Sequence, residues 1–162
     1  MSGALNSNVI LGVGNLLRSD EGVGVHAVQA LQAAGCEDKV ALVDGGTAVF
    51  QALSAWDKID KLIVIDAFQS GAEPGAVVRL SAREVADRTT PVLSLHQQGL
   101  LDSLALLRQA GLSLGEVVIF GVEPEAMGWG TELSASVAKA MPRLLEQIRA
   151  EAGLSNLEER SR

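Results

Sequence analysis

The chain has no tyrosine, one cysteine and two histidines in 162 residues, and aromatic residues make up only 3% of it. With so few aromatic rings, Val, Leu, Ile and Ala have to fill the core. A lone cysteine, Cys36, excludes an internal disulfide and every Cys-x-x-Cys zinc or iron–sulfur cluster, and it fits a reducing cytosol. Basic residues are also scarce: 13 Lys and Arg face 20 Asp and Glu, a net charge of −7. A field of that sign argues against nucleic acid and anionic membranes as partners. No apolar run approaches the roughly 18 residues of a spanning helix. The N-terminal MSGALNSNVILGVG lacks the basic segment that precedes a signal-peptide core. A cytoplasmic protein is therefore expected.

What is present is a globular composition, 48% hydrophobic and 20% charged. A chain of this size buries roughly 70% of its unfolded surface, enough for one self-sufficient domain. We expect that domain over residues 1–152, a charged and frayed tail over 153–162, and a monomer.

Short β-branched runs alternate with longer helical patterns. Val9 to Val13, closed by Gly14-Asn15, reads as a strand buried on both faces. A helix follows from about Asp20 to Gly35, with Ser19 or Asp20 as its N-cap. Val40 to Val43 forms a second strand, broken by Asp44-Gly45-Gly46-Thr47, and about Thr47 to Trp56 reads as a short helix. The strongest β signal, Lys61 to Asp66, ends in a carboxylate. After the turn Glu73-Pro74-Gly75, Ala76 to Leu80 reads as an edge strand. Helices are expected over His96 to Gln109 and Glu132 to Ala150, on either side of a last strand at Glu116 to Val122. The pattern predicts an α/β three-layer αβα sandwich. Its sheet has about five strands and is mostly parallel and twisted, with an antiparallel edge strand. Ligands of such sheets bind beyond the carboxyl ends of the strands, where strand order reverses. In a 2-1-3 order that crevice lies between the first and third strands.

The segment after the first strand, Gly12-Val13-Gly14-Asn15-Leu16-Leu17-Arg18-Ser19-Asp20-Glu21-Gly22-Val23-Gly24, resembles a dinucleotide loop only superficially. The G-x-G-x-x-G spacing demands a small residue at position 17, and Leu17 and Arg18 obstruct the approach of a pyrophosphate. The loop instead delivers two carboxylates to the crevice rim. Asp20 suits helix capping. Glu21 sits among glycines that imply a closely approached backbone, which makes it the functional candidate. Asp66, at the carboxyl end of the third strand, has to be solvated, paired or bound to a cation; loop capping and function explain it equally well. Asp44 has the same kind of location but also makes a good turn with Thr47. Of the histidines, His26 lies in a helix among apolar neighbours, whereas His96 sits at a loop-to-helix junction that can reach the crevice. One imidazole and two carboxylates can make a three-ligand site with open positions. A serine nucleophile elbow is absent, and Cys36, at a helix end, lacks the cationic activation of an N-terminus.

Taken in order, these pieces resemble a known family. Gly12-Val13-Gly14-Asn15, Asp20-Glu21-Gly22-Val23-Gly24, Asp44-Gly45-Gly46-Thr47, Asp66-Ala67 with Pro74-Gly75, Ser94-x-His96-x-x-Gly99-Leu100 and Gly121-Val122-x-Pro124 look like the motifs of the hydrogenase maturation endopeptidases. The likeness runs over about residues 8 to 150. It implies a protease that removes a short C-terminal peptide from the large-subunit precursor of nickel–iron hydrogenases once nickel is inserted. It also implies that Glu21, Asp66 and His96 are the metal ligands and grip nickel supplied by the precursor; another divalent metal could occupy the site in crystals. Asp44 is then a candidate acid/base. Two other readings are a non-proteolytic nickel-binding maturation chaperone with the same ligands, and a generic small metallopeptidase on the same fold.

Overall fold

Apolar residues at alternating strand positions feed two separate cores, one on each face of a single five-stranded sheet. The structure, a computed structural model, describes residues 6–87 and 95–154, except for the side chains of residues 86, 87 and 95–98. The strands are β1 (Asn8–Val13), β2 (Ala41–Gly46), β3 (Lys58–Ala67), β4 (Val77–Ser81) and β5 (Ser113–Val122), in the order β2-β1-β3-β5-β4. All pairings are parallel except β4 with β5. This is the expected mostly parallel sheet with one antiparallel edge strand.

The helices are α1 (Val23–Ala33), α2 (Val49–Leu53), α3 (Ala82–Asp87), α4 (Leu95–Gln109) and α5 (Ala135–Glu151). Ile10, Ile63, Ile65, Val118 and Phe120 pack under Val23, Val28 and Leu31 of α1 and Val137, Leu144 and Ile148 of α5. On the opposite face Val9, Leu11, Leu62, Val64 and Ile119 meet Leu53 of α2, Val85 of α3 and Leu100, Leu104 and Leu107 of α4. The chain steps from β1 outward to β2, then back past β1 to β3, so strand order reverses between β1 and β3. The crevice beyond their carboxyl ends is the place such sheets leave open for a ligand.

Several boundaries differ from expectation, each for a physical reason. β3 and β5 begin earlier than their apolar runs because the parallel ladder continues through polar residues, with Lys58 opposite Ser113. α1 starts at Val23, since Ser19–Gly22 forms a 3-10 turn and the cap position falls to Gly22 with no side-chain bond. α2 is similarly short, and Ala48 rather than Thr47 precedes it. α5 begins at Ala135 because Ser134 caps it, its hydroxyl accepting from Val137 N at 3.4 Å. Leu154, buried at 7% exposure, still packs on the α1–α5 core; the rest of the charged tail lies outside the described residues. Among those residues no helix is long and apolar enough to cross a membrane.

An ion-pair network ties the end of α5 to the sheet. Arg79 of β4 donates to both Glu151 oxygens, at 2.9 and 2.8 Å, and Lys61 Nζ of β3 lies 2.9 Å from the same carboxylate. The Arg79 hydrogen bonds, reinforced by Lys61 and opposed by burial, bring the Glu151 carboxyl from the usual 4.5 down to about 2. A depressed carboxyl stabilises the fold above its unfolded pKa and loses that contribution as pH falls towards the folded one. Here the window runs from about pH 4.5 to pH 2. Because Arg79 is half exposed, the contribution is expected to be about 1–2 kcal/mol. Urea titrations of Arg79→Met should show that deficit at pH 7 and converge with the parent near pH 2; parallel curves across the window would disprove the assignment.

Candidate functional site

The chain leaves β1 through Gly14 at φ +128°, a conformation that favours glycine. A β-carbon there would lie 1.8 Å from the Glu21 carbonyl oxygen and 3.6 Å from Asp66 Oδ1. The backbone of Glu21 and the carboxylate of Asp66 therefore flank the same glycine. Gly24 does the same one turn later, since a β-carbon on it would meet the Ile65 carbonyl oxygen at 2.1 Å. The glycines of this motif let the 3-10 turn and the start of α1 settle onto the ends of β1 and β3. Asp66 and the segment carrying Glu21 are brought together for that reason.

Asp66 is only 2% exposed, and its Oδ1 accepts the Ala67 N–H at 2.8 Å. Alternation with Val64 and Phe68 turns its side chain to the face covered by α2, α3 and α4. His96 is the second residue of α4. Only Ala110 to Leu112 separate α4 from β5, so the helix runs antiparallel to the strands and its first turn lies toward their carboxyl edge. Its side chain falls outside the described residues, and among those residues no three His, Cys, Asp or Glu form a metal-sized group. The fold thus places all three backbone segments at one end of the sheet, and shows Asp66 and the Glu21 segment in direct proximity.

Glu21 Oε2 lies 3.7 Å from Arg18 Nε, which donates to the Met127 carbonyl at 3.0 Å. Asp44 stands apart. It is exposed, its Oδ1 accepts Gly46 N at 2.9 Å, and it pairs with Gly12, which pairs in turn with Ile65. It is therefore two strands, roughly 10 Å, from the end of β3. By alternation it also belongs to the opposite face from Asp66. In this geometry Asp44 builds its own turn.

Two buried carboxylates with structural work were not anticipated. Asp20, fully buried, accepts from Glu125 N at 2.9 Å, Ala126 N at 2.8 Å, Ser134 N at 2.8 Å and the Ser134 hydroxyl at 2.8 Å. The expected N-cap of α1 is corrected by this: Asp20 clasps the loop between β5 and α5. Burial pushes its carboxyl up, but the N–H donors of Ala126, Ser134 and Glu125 and the Ser134 hydroxyl outweigh it and hold the carboxyl below its usual range. Glu123 does the equivalent at the other side, accepting from Ser70 N and Oγ, both at 2.8 Å, and Gly71 N at 3.1 Å. Its one sequence signal is a carboxylate placed directly after a buried strand. His26 is half-buried, as expected, with Nε2 enclosed. Cys36 is a free thiol buried at 3% exposure.

Two carboxylates and an imidazole, as a donor set, suit a divalent cation and leave coordination positions for a substrate or water.

Known proteins resemble this chain over most of its length. The family model described as hydrogenase maturation protease matches residues 25–151, which includes Asp44, Asp66 and His96 and begins after Glu21. The sequence is 37% identical over 152 residues to the hydrogenase 2 maturation protease of Escherichia coli strain K12, covering 93% of each chain. It is 35% identical over 141 residues to the hydrogenase expression/formation protein HupD of Rhizobium leguminosarum bv. viciae, covering 85% of this chain and 70% of that one. Among solved structures, the hydrogenase maturating endopeptidase HybD from E. coli superposes with a TM-score of 0.75 at 36% identity, over 88% of this chain and 90% of that one. The NiFe hydrogenase maturation protease HybD from Thermococcus kodakarensis gives 0.75 at 26% identity, over 89% and 97%.

Proposed function

Because this chain belongs to the hydrogenase maturation protease family, and is a peptidase hydrolase of that family, we propose that it removes the C-terminal extension of a nickel–iron hydrogenase large-subunit precursor after nickel insertion. The single observation that supports this most is the meeting of Asp66 and the Glu21 backbone around Gly14, in the crevice where strand order reverses. Glu21, Asp66 and His96 are the residues that would hold nickel brought in by the precursor, so the metal is part of what is recognised. A divalent ion held there supplies Lewis acidity, polarising a carbonyl or lowering the pKa of water towards ~7. The chain's own contribution is to fix the ligands: Gly14 and Gly24 seat the turn, and Asp20 and Glu123 clamp the loops on either side. Asp44, whose Oδ1 accepts Gly46 N in its own turn, is the proposed acid/base. The protein would act as a cytoplasmic monomer with the precursor as its partner.

The experiment is incubation with nickel-loaded and nickel-free precursor, reading product mass. Shortening of the loaded form alone is expected. Equal cleavage of both forms removes nickel recognition. A stable complex with no shortened product favours the chaperone reading, and cleavage of unrelated peptides by protein carrying its own metal favours the generic metallopeptidase.

A further inference from the structure

Beside the turn that carries Glu21 is an exposed apolar surface. Trp129 is 78% exposed and Leu17 56%. Their backbones lie one residue back from a short parallel bridge between Arg18 and Gly130. The bridge is well tied: Gly130 N donates to the Leu17 carbonyl and Ser19 N to the Gly130 carbonyl, both at 2.9 Å, and the Ser19 hydroxyl donates to the Gly128 carbonyl at 3.0 Å. Ser19 holds φ +51°, a left-handed conformation that a non-glycine residue keeps only when its surroundings enforce it. Arg18 completes the unit. Its guanidinium lies 5.2 Å from the centre of the Trp129 ring, while its Nε bonds Met127 and faces Glu21.

An exposed tryptophan on a mobile loop would lose much of its binding advantage to ordering entropy; here the backbone and the stacked arginine have already removed that freedom. Trp and Arg are also the side chains that most often dominate recognition energetics. We propose that Leu17, Arg18 and Trp129 form a docking platform that receives an apolar side chain of the precursor, in the segment next to the scissile bond. The inference rests on the function proposed above and adds the surface that selects the substrate protein. The occupant follows from continuity: Arg18 touches both the ring and Glu21, so whatever Glu21 engages lies within a side chain's length of the platform. A second copy of this chain is disfavoured by charge. Each copy carries −7, and Glu125 and Glu132 are exposed on the same loop.

The test uses nickel-loaded precursor with the full-length protein. Trp129→Ala is expected to raise KM at least tenfold while kcat stays within about twofold, with Trp129→Phe recovering most of the loss and Leu17→Ala falling between. Leu106→Ala, which removes an exposed apolar side chain of α4 away from the crevice, should match the parent. Hydroxyl-radical footprinting read by mass spectrometry should show Trp129 protected when precursor binds. An unchanged KM with Trp129 unprotected overturns the proposal, as does a loss confined to kcat, which would make Trp129 a support for Glu21. A parent protein that cuts no precursor overturns the functional reading and this one with it. A dimer in sedimentation that Trp129→Ala dissociates makes a second copy the occupant and also overturns it.

Discussion

Asp66→Ala is expected to slow processing of nickel-loaded precursor by more than about a hundredfold while the protein remains folded. Loss of a group that merely supports a metal ligand costs roughly 10–100-fold in metal affinity or activity, so removal of a direct ligand should cost at least the upper figure. Asp66 is the strongest case of the three because it is 2% exposed and rigidly held at the end of β3. Asp66→Asn is the cleaner variant. It keeps the volume and the acceptor for Ala67 N and removes only the charge and one acceptor oxygen, so its activity loss cannot be ascribed to collapse of the strand end. Glu21→Ala and His96→Ala should show losses of similar order, since an ion gripped by two ligands in place of three is held far less well. Circular dichroism and a thermal melt establish that each variant is folded. Wild-type cleavage by all three would remove the metal assignment altogether. Asp44→Asn separates the remaining role, because the amide oxygen still accepts from Gly46 N and preserves the turn. A fall in kcat with an unchanged melt supports acid/base work, and unchanged kcat leaves Asp44 as a turn residue.

The second large effect is on stability. Asp20→Ala removes the acceptor of four hydrogen bonds and strands the amides of Glu125, Ala126 and Ser134 together with the Ser134 hydroxyl. Buried donors left without a partner cost about 1–3 kcal/mol each where water cannot enter. Partial access of water through the opened loop reduces the sum, and we expect about 3–4 kcal/mol. For a domain of this size that corresponds to a melting temperature lower by roughly 6–15 °C. The carboxyl is held below its usual value, so its contribution is present above the unfolded pKa of 3.8 and is lost as the pH falls below it. The stability gap between parent and variant should therefore shrink in acid below about pH 4. A melt lowered by less than 2 °C would mean that the clasp contributes little. Cleavage should also suffer in this variant, since the clasped loop anchors Arg18 and Trp129 beside Glu21.

Much of the sheet could be read from local pattern. The runs at Val9–Val13, Lys61–Asp66 and Glu116–Val122 are too continuously apolar to face water on either side, and only a parallel sheet covered by helices on both faces accommodates three of them. Once that order was set, the rule about carboxyl ends pointed to the residues after the first and third strands, and Glu21 and Asp66 are there. Gly24 was legible too: a glycine that interrupts a helix start signals a backbone passing close by. Periodicity also located α4 and α5 to within a few residues.

Local pattern misassigned Asp20, because an aspartate just before a helix is indistinguishable from an N-cap until its other neighbours are known. Those neighbours lie 105 to 114 residues further along the chain. The Arg18–Trp129 stack and the Glu123 clamp have the same origin. Each depends on where the loops after β1, β3 and β5 fold back over the strand ends, and no spacing within any one segment encodes that path. Strand positions and burial follow from short-range periodicity and excluded volume, which are local. The clasps that shape the crevice arise from hydrogen bonds and a cation–π contact across long loops, formed only after the two cores have closed around the sheet.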